Sequence, residues 1–259
     1  MRLTHFNNDF VFTDYNVHMI FFRPFFISVL LAFLVQNTTF AFSPSDTQGK
    51  LELRYTVNIF DTNLGEIHTT ISKNEQRFRL NSITKAEGVA SFVMGGDLKQ
   101  DCLFHSQGVK ILTDHSNIEK LGKKPFKHSV KLDWQSRKIN FEETSLEIPD
   151  GYVLDSCNFQ FAAAYTDVEV LKTNTIYVLD GKKSRIKGYV FKSESQETLK
   201  TPLGSFETTK IVLERELNPE KSFIFWISKD YPFFPLKMMD KRKKGSRIMT
   251  LKSFKEVTL

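Results

Sequence analysis

Cysteine is scarce in this chain, with only Cys102 and Cys157 among 259 residues. There is no CxxC pair and no Cys/His cluster, which excludes zinc-ribbon and thioredoxin-like chemistry. The sequence lacks GxSxG, HExxH and Walker-type loops, so the easily recognised hydrolases and nucleotide-binding classes are excluded too. Nucleic-acid recognition motifs are missing as well. Long apolar runs are also wanting. The longest, Phe25 to Val35, is too short to cross ~30 Å of hydrocarbon, which takes roughly 20 residues as a helix. No metal or cofactor is expected.

That short run has a different meaning in context. Arg23 precedes it and Thr39-Phe40-Ala41 follows it, and a positive residue, an apolar stretch and a small-x-small site describe a secretory signal peptide. The expected organisation is a signal peptide over residues 1–41 and a single β-rich domain over 42–259. The alternative is an N-terminal membrane anchor, and Met19 is a second candidate start. After cleavage the protein is expected in the periplasm and not integral to the membrane. Removing Arg2, Arg23, Asp9 and Asp14 leaves the formal net charge at +6, a mild bias towards anionic surfaces. Export argues against a nucleic-acid partner. It also leaves two readings of the cysteines: a disulfide, or two buried thiols that behave as small hydrophobes.

Phenylalanine is abundant, 25 residues against 2 Trp and 7 Tyr, and it favours pleated, half-buried surfaces. Leu51, Leu53, Tyr55, Val57 and Ile59 alternate with polar residues, the period-two pattern of a strand with one face in a core. Similar patterns occur at 66–72, 77–84, 100–105, 108–113 and 126–134, and in several segments after Thr175. The segment Asp155–Tyr165 predicts the one helix, with Asp155 as its N-cap ahead of an Ala run. The stretch 86–99 predicts a connection or a short helix. Asp180-Gly181 predicts a hairpin turn, and so does Pro202-Leu203-Gly204. The expected fold is all-β: an antiparallel, strongly curved sheet or barrel-like meander of about ten to twelve strands with one short helix.

Asp180-Gly-Lys, Tyr189-Val-Phe, the stretch Glu197–Phe206, the stretch Trp226–Leu236 and Leu251-Lys-Ser253 together resemble the domain-of-unknown-function 3108 family of exported bacterial proteins. The segment Gly151–Tyr165 resembles it too. The two cysteines are not part of that pattern. The resemblance implies an exported, β-rich protein and attaches no activity to it. By analogy of fold, such a sheet is similar to periplasmic lipid and lipoprotein carriers, although fold does not fix function.

His68, His105, His115 and His128 are scattered over different segments, and no acid–base pairing is visible among them. An enzyme is therefore not expected. Asp240 to Arg247 forms the densest basic cluster and is expected to be a solvated turn. Trp134, Phe159, Trp226 and Phe234 are the candidate lining of an apolar ligand site, with core filling as the competing role. The expected function is binding of a hydrophobic or lipid-like ligand in the concavity of the sheet. The alternative is a structural or protein-interaction module of the cell envelope, with another envelope protein as partner.

Overall fold

The computed structural model describes residues 48–59, 62–86, 88, 96–243 and 245–257. The expected signal peptide at 1–41 lies outside these residues, as does most of the connection at 86–99. In the first strand, β1 (Gln48–Ile59), Leu51, Leu53, Tyr55 and Val57 are buried while the residues between them are more exposed. The predicted alternation therefore sets which face enters the core.

The same logic continues through β2 (Thr62–Asn74), β3 (Arg77–Ala86), β4 (Leu98–Gln107), β5 (Lys110–Lys120), β6 (Phe126–Asp133), β7 (Lys138–Phe141), β8 (Ser145–Glu147) and β9 (Tyr152–Asp155). Two short helices follow, α1 (Phe159–Tyr165) and α2 (Val168–Thr173). The chain then returns to strands in β10 (Ile176–Asp180), β11 (Arg185–Thr201), β12 (Gly204–Arg215), β13 (Asn218–Ser228), β14 (Pro235–Arg242) and β15 (Gly245–Val257).

Among the described residues these strands form one 15-stranded sheet, in the order β8-β7-β6-β5-β4-β3-β2-β1-β15-β14-β13-β12-β11-β10-β9. Neighbours pair antiparallel, except that β9 runs parallel to β10. The expected meander is therefore present. Its curl is less than expected, and no ladder among the described residues joins β8 to β9, so the sheet is not a closed barrel. The two outer parts of the sheet instead meet through side chains. Val130, Leu132, Ile139 and Phe141 of β6 and β7 share a small core with Val153 and Leu179 of β9 and β10.

The helix prediction needs two corrections. Asp155 ends β9 and does not cap α1; its Oδ1 accepts from the Cys157 backbone N–H at 2.8 Å and so closes a tight turn ahead of the helix. Asx side chains serve such turns as readily as helix starts. A second helix, α2, was not expected. It is capped by Asp167, whose carboxylate accepts from Glu169 N at 2.9 Å. The Asp180-Gly181 hairpin is also longer than predicted, with a 3-10 turn over Gly181–Lys183 and Ser184 at φ 45°.

Turns of an antiparallel meander alternate between two ends of the sheet. The β2–β3, β4–β5 and β11–β12 turns lie at one end, and the β5–β6, β10–β11 and β12–β13 turns at the other. Helix α1 lies against the inner face, touching β5 and β9 on one side and β13 and β14 on the other.

Candidate functional site

Helix α1 carries the rings that fill the concave face. Phe159 packs edge-on against Phe223 at 4.7 Å and Phe225 at 5.3 Å. Two residues on, Phe161 meets Phe78 at 5.6 Å and Phe104 at 5.5 Å. Phe78 and Phe104 stack on each other at 5.2 Å, and Tyr165 closes the group at 5.9 Å from Phe78. Burying each such ring stabilises the fold by roughly 1.5–3 kcal/mol. These rings belong to one contiguous hydrophobic core on the inner face.

The start of α1 is tied to the sheet by polar groups. The Cys102 and Cys157 sulfurs are joined, with Cα atoms 6.3 Å apart, which links β4 to the turn before the helix. Asn158 is fully buried, and its Nδ2 donates to Thr113 Oγ1 at 3.0 Å. The Asp155 backbone N–H donates to the same hydroxyl at 3.2 Å. Tyr152 Oη accepts from Ile111 N at 3.0 Å and lies 2.8 Å from Thr166 Oγ1, just past the end of α1. Burial pushes the Tyr152 hydroxyl up to about 12. Burial also raises the Asp155 carboxyl to about 6, against the pull of hydrogen bonds from Cys157 N and the Ser116 and Ser156 hydroxyls.

Donor atoms of Cys102, Asp155 and Cys157 all lie within 4.8 Å of one another. With the sulfurs bonded to each other, neither is a thiolate, the form that ligates metals. The corner is therefore a disulfide beside a protonatable carboxyl.

At the β2–β3 end, a cleft of about 290 Å³ opens beside this aromatic group. It is lined by Gln48, Ser72, Lys73, Asn74, Arg77, Phe78 and Leu103. Phe78 and Leu103 supply apolar wall, and Lys73 and Arg77 supply positive charge. Lys73 is only 3% exposed, and its Nζ lies 5.8 Å from the Phe78 ring centre.

A family model for a protein of unknown function, DUF3108, matches residues 54–252. The chain belongs to the DUF3108 family. The match runs from β1 into β15 and takes in α1, the Cys102–Cys157 link and most of the cleft. No curated protein matches this DUF3108 chain. Among solved structures, a β-barrel-like protein of the DUF1849 domain from Brucella abortus is 9% identical with a TM-score of 0.49; the match covers 82% of this chain and 99% of that one. A putative outer membrane lipoprotein-sorting protein domain from Vibrio parahaemolyticus is also 9% identical, with a TM-score of 0.21, covering 83% of this chain and 87% of that one.

The four ring residues expected to line a ligand site in this DUF3108 protein do not converge. Phe159 fills the interior. Trp226 follows Phe225 on β13 and so faces the opposite side of the sheet. There its ring lies between Lys210 and Lys237, with ammonium nitrogens 5.4 and 4.8 Å from the ring, and its Nε1 donates to Glu197. Trp134 donates to the Thr113 carbonyl at 2.9 Å beside the small second core. Phe234 packs with Tyr231 and Phe254. The residues that do border the cleft, Lys73 and Arg77 among them, carried no motif. Lys73 lies in phase with Ile71 on β2, and a lysine at an inward position is the only signal the sequence offered.

The histidines are drawn into short-range pairs. His115 Nε2 lies 2.9 Å from Ser129 Oγ, while the neighbouring Asp114 pairs instead with His105 at 2.9 Å. No acid–base–nucleophile set is completed among the described residues.

Proposed function

We propose that this DUF3108 protein is an exported, non-catalytic protein of the cell envelope that binds a hydrophobic, lipid-like ligand bearing an anionic head group. The cleft beside Phe78 carries this reading. Its volume of about 290 Å³ sits at the lower end of the scale of ligand pockets, roughly 300–1,000 Å³. It combines an apolar wall continuous with the Phe78, Phe104, Phe161 and Tyr165 rings with cations at Lys73 and Arg77. An acyl chain would lie against the rings while its carboxylate or phosphate meets the Arg77 guanidinium. The signal-peptide pattern at 1–41 supports export to the periplasm, where such amphiphiles are available.

Native mass spectrometry of the exported protein, with extraction of bound lipid, tests the proposal. Stoichiometric lipid that is lost in Arg77→Glu supports it. Bare protein that shows no saturable binding of a long-chain fatty acid overturns it. The alternative, an envelope interaction module without a small ligand, draws on the packing of Phe159 and Phe161, which fill the concave face with the protein's own side chains. It predicts the bare protein.

A further inference from the structure

Two turns far apart in sequence meet at the end of the sheet opposite the cleft. Lys182, in the turn after β10, places its Nζ 4.4 Å from the ring centre of Phe126, the first residue of β6. The neighbouring Gly181 sits so close to β6 that a Cβ there would come within 2.9 Å of Val130 Cγ2. The contact brings Lys120 at the end of β5 and Lys123 and Lys124 of the β5–β6 turn to the same end of the sheet as Lys182 and Lys183. All but Lys120 are exposed, and Leu121 and Phe126 lie partly exposed among them.

Charge pairing separates this group from the other basic turns. At the tip of β14, Arg242 pairs with Asp240, and Lys243 reaches Glu220 at 4.0 Å. Arg185 and Lys187 share Asp180 at 3.2 and 2.7 Å. None of the five gathered lysines enters an ion pair among the described residues. Like charges carried by adjoining turns repel one another, and an anionic partner relieves that repulsion.

We propose that this lysine-bearing end docks the protein on an anionic phospholipid bilayer, with Lys120, Lys123, Lys124, Lys182 and Lys183 set against the lipid phosphates. The group consists wholly of lysines, which act as point charges on flexible stems and lack the planar fork used for bidentate recognition. That suits a fluid array of phosphates. Stacking on nucleobases is disfavoured because Lys182 covers the Phe126 ring. Each lysine near an anionic surface strengthens binding roughly fivefold. The proposal is independent of the ligand reading: the cleft adjoins the β2–β3 turn at the other end, and vesicle binding does not require it to be filled.

The test is co-sedimentation of the exported protein with vesicles of phosphatidylglycerol and phosphatidylcholine, compared with phosphatidylcholine alone. Binding is expected only with phosphatidylglycerol present, and release is expected at about 1 M salt, where screening shortens to about 3 Å. Lys123→Glu/Lys124→Glu should weaken binding by at least about 25-fold, from two lysines at roughly fivefold each. Lys200→Glu/Lys229→Glu makes the same change in net charge at the opposite end, also on exposed residues, and should stay within about twofold because those charges face away from the bilayer. Equal losses in the two variants overturn the proposal, as do equal binding to neutral vesicles or no binding to anionic ones by the parent protein.

Discussion

The buried Asp155 carboxyl makes the stability of this protein depend on pH in a defined direction. The residue is 3% exposed, and burial raises its carboxyl from the ordinary value of 3.8 to about 6. The folded state therefore keeps a proton between those two values that the unfolded chain releases. By linkage, stability falls as pH rises through this window and levels off above about pH 6. A difference of roughly two pKa units at 1.36 kcal/mol each gives a contribution of about 3 kcal/mol across the window.

Asp155→Asn removes the titration while keeping an oxygen that accepts from Cys157 N. The Ser116 and Ser156 hydroxyls can rotate to accept from the new amide. The assay is urea unfolding of parent and Asp155→Asn from pH 3.5 to 8, under non-reducing conditions so that the Cys102–Cys157 link stays intact. The relevant quantity is the gap between the two curves, because other carboxylates affect both equally. That gap should move by about 3 kcal/mol in favour of the variant as pH rises, whatever constant offset the amide introduces. The coulombic influence of Asp180 adds to the raise, so Asp180→Asn should shrink the gap slightly. Parallel curves would refute a carboxyl that is protonated in the folded state at acid pH.

Other substitutions test the ties around α1. Cys102→Ala/Cys157→Ala opens a link with a sequence separation of 55 and should cost about 4 kcal/mol in the chain-entropy account; urea unfolding measures it, and a two-hydrogen mass deficit in the parent reports the bond itself. Tyr152→Phe leaves Ile111 N and Thr166 Oγ1 without their shared partner. It should lower stability by about 2 kcal/mol, the scale of one buried group left unsatisfied, measured by urea unfolding and seen as faster exchange of the core amides that open only by global unfolding. Phe159→Ala removes the ring against Phe223 and Phe225 and should cost about 4 kcal/mol, seen as a lower melting temperature.

Much of the sheet was legible because one face of each strand is buried. In β1 and β6 the alternation of apolar and polar residues is nearly faultless, and the observed bounds follow it closely. The second half of β5, from Asp114 to Lys120, was not legible because its sequence is polar. It is a strand because β4 and β6 flank it and supply both ladders, a tertiary effect that overrides local preference. Helix α2 is six residues long with one buried side chain, too short to show a 3.6-residue period, and only the Asp167–Glu169 cap announces it. The lysine group was invisible for a different reason. Its members come from segments far apart in sequence, and the packing of the β10–β11 turn on β6, through Gly181 on Val130 and Lys182 on Phe126, brings them together. The basic cluster that does stand out in sequence, at 240–247, is partly neutralised by Asp240 and Glu220.

The ties around α1 also bear on how a ligand would reach the rings. The start of the helix is held by the Cys102–Cys157 link, by Asn158 on Thr113 and by the Asp155 turn, so displacing Phe159 would break several buried interactions at once. The other end has no covalent tie to the sheet: Tyr165 packs on Phe78 and Phe161, and the Thr166 hydroxyl lies against Tyr152 Oη. The cleft at Phe78 opens beside that end, with Phe78 5.9 Å ring to ring from Tyr165. An acyl chain entering there need only shift Tyr165 and slide along Phe78 and Phe104. A route past Phe159 would require the pinned end to move. Reducing the disulfide should accordingly lower stability while changing ligand affinity at the cleft far less than Arg77→Glu does, and a ligand lost on reduction alone would place the entry at the pinned end instead.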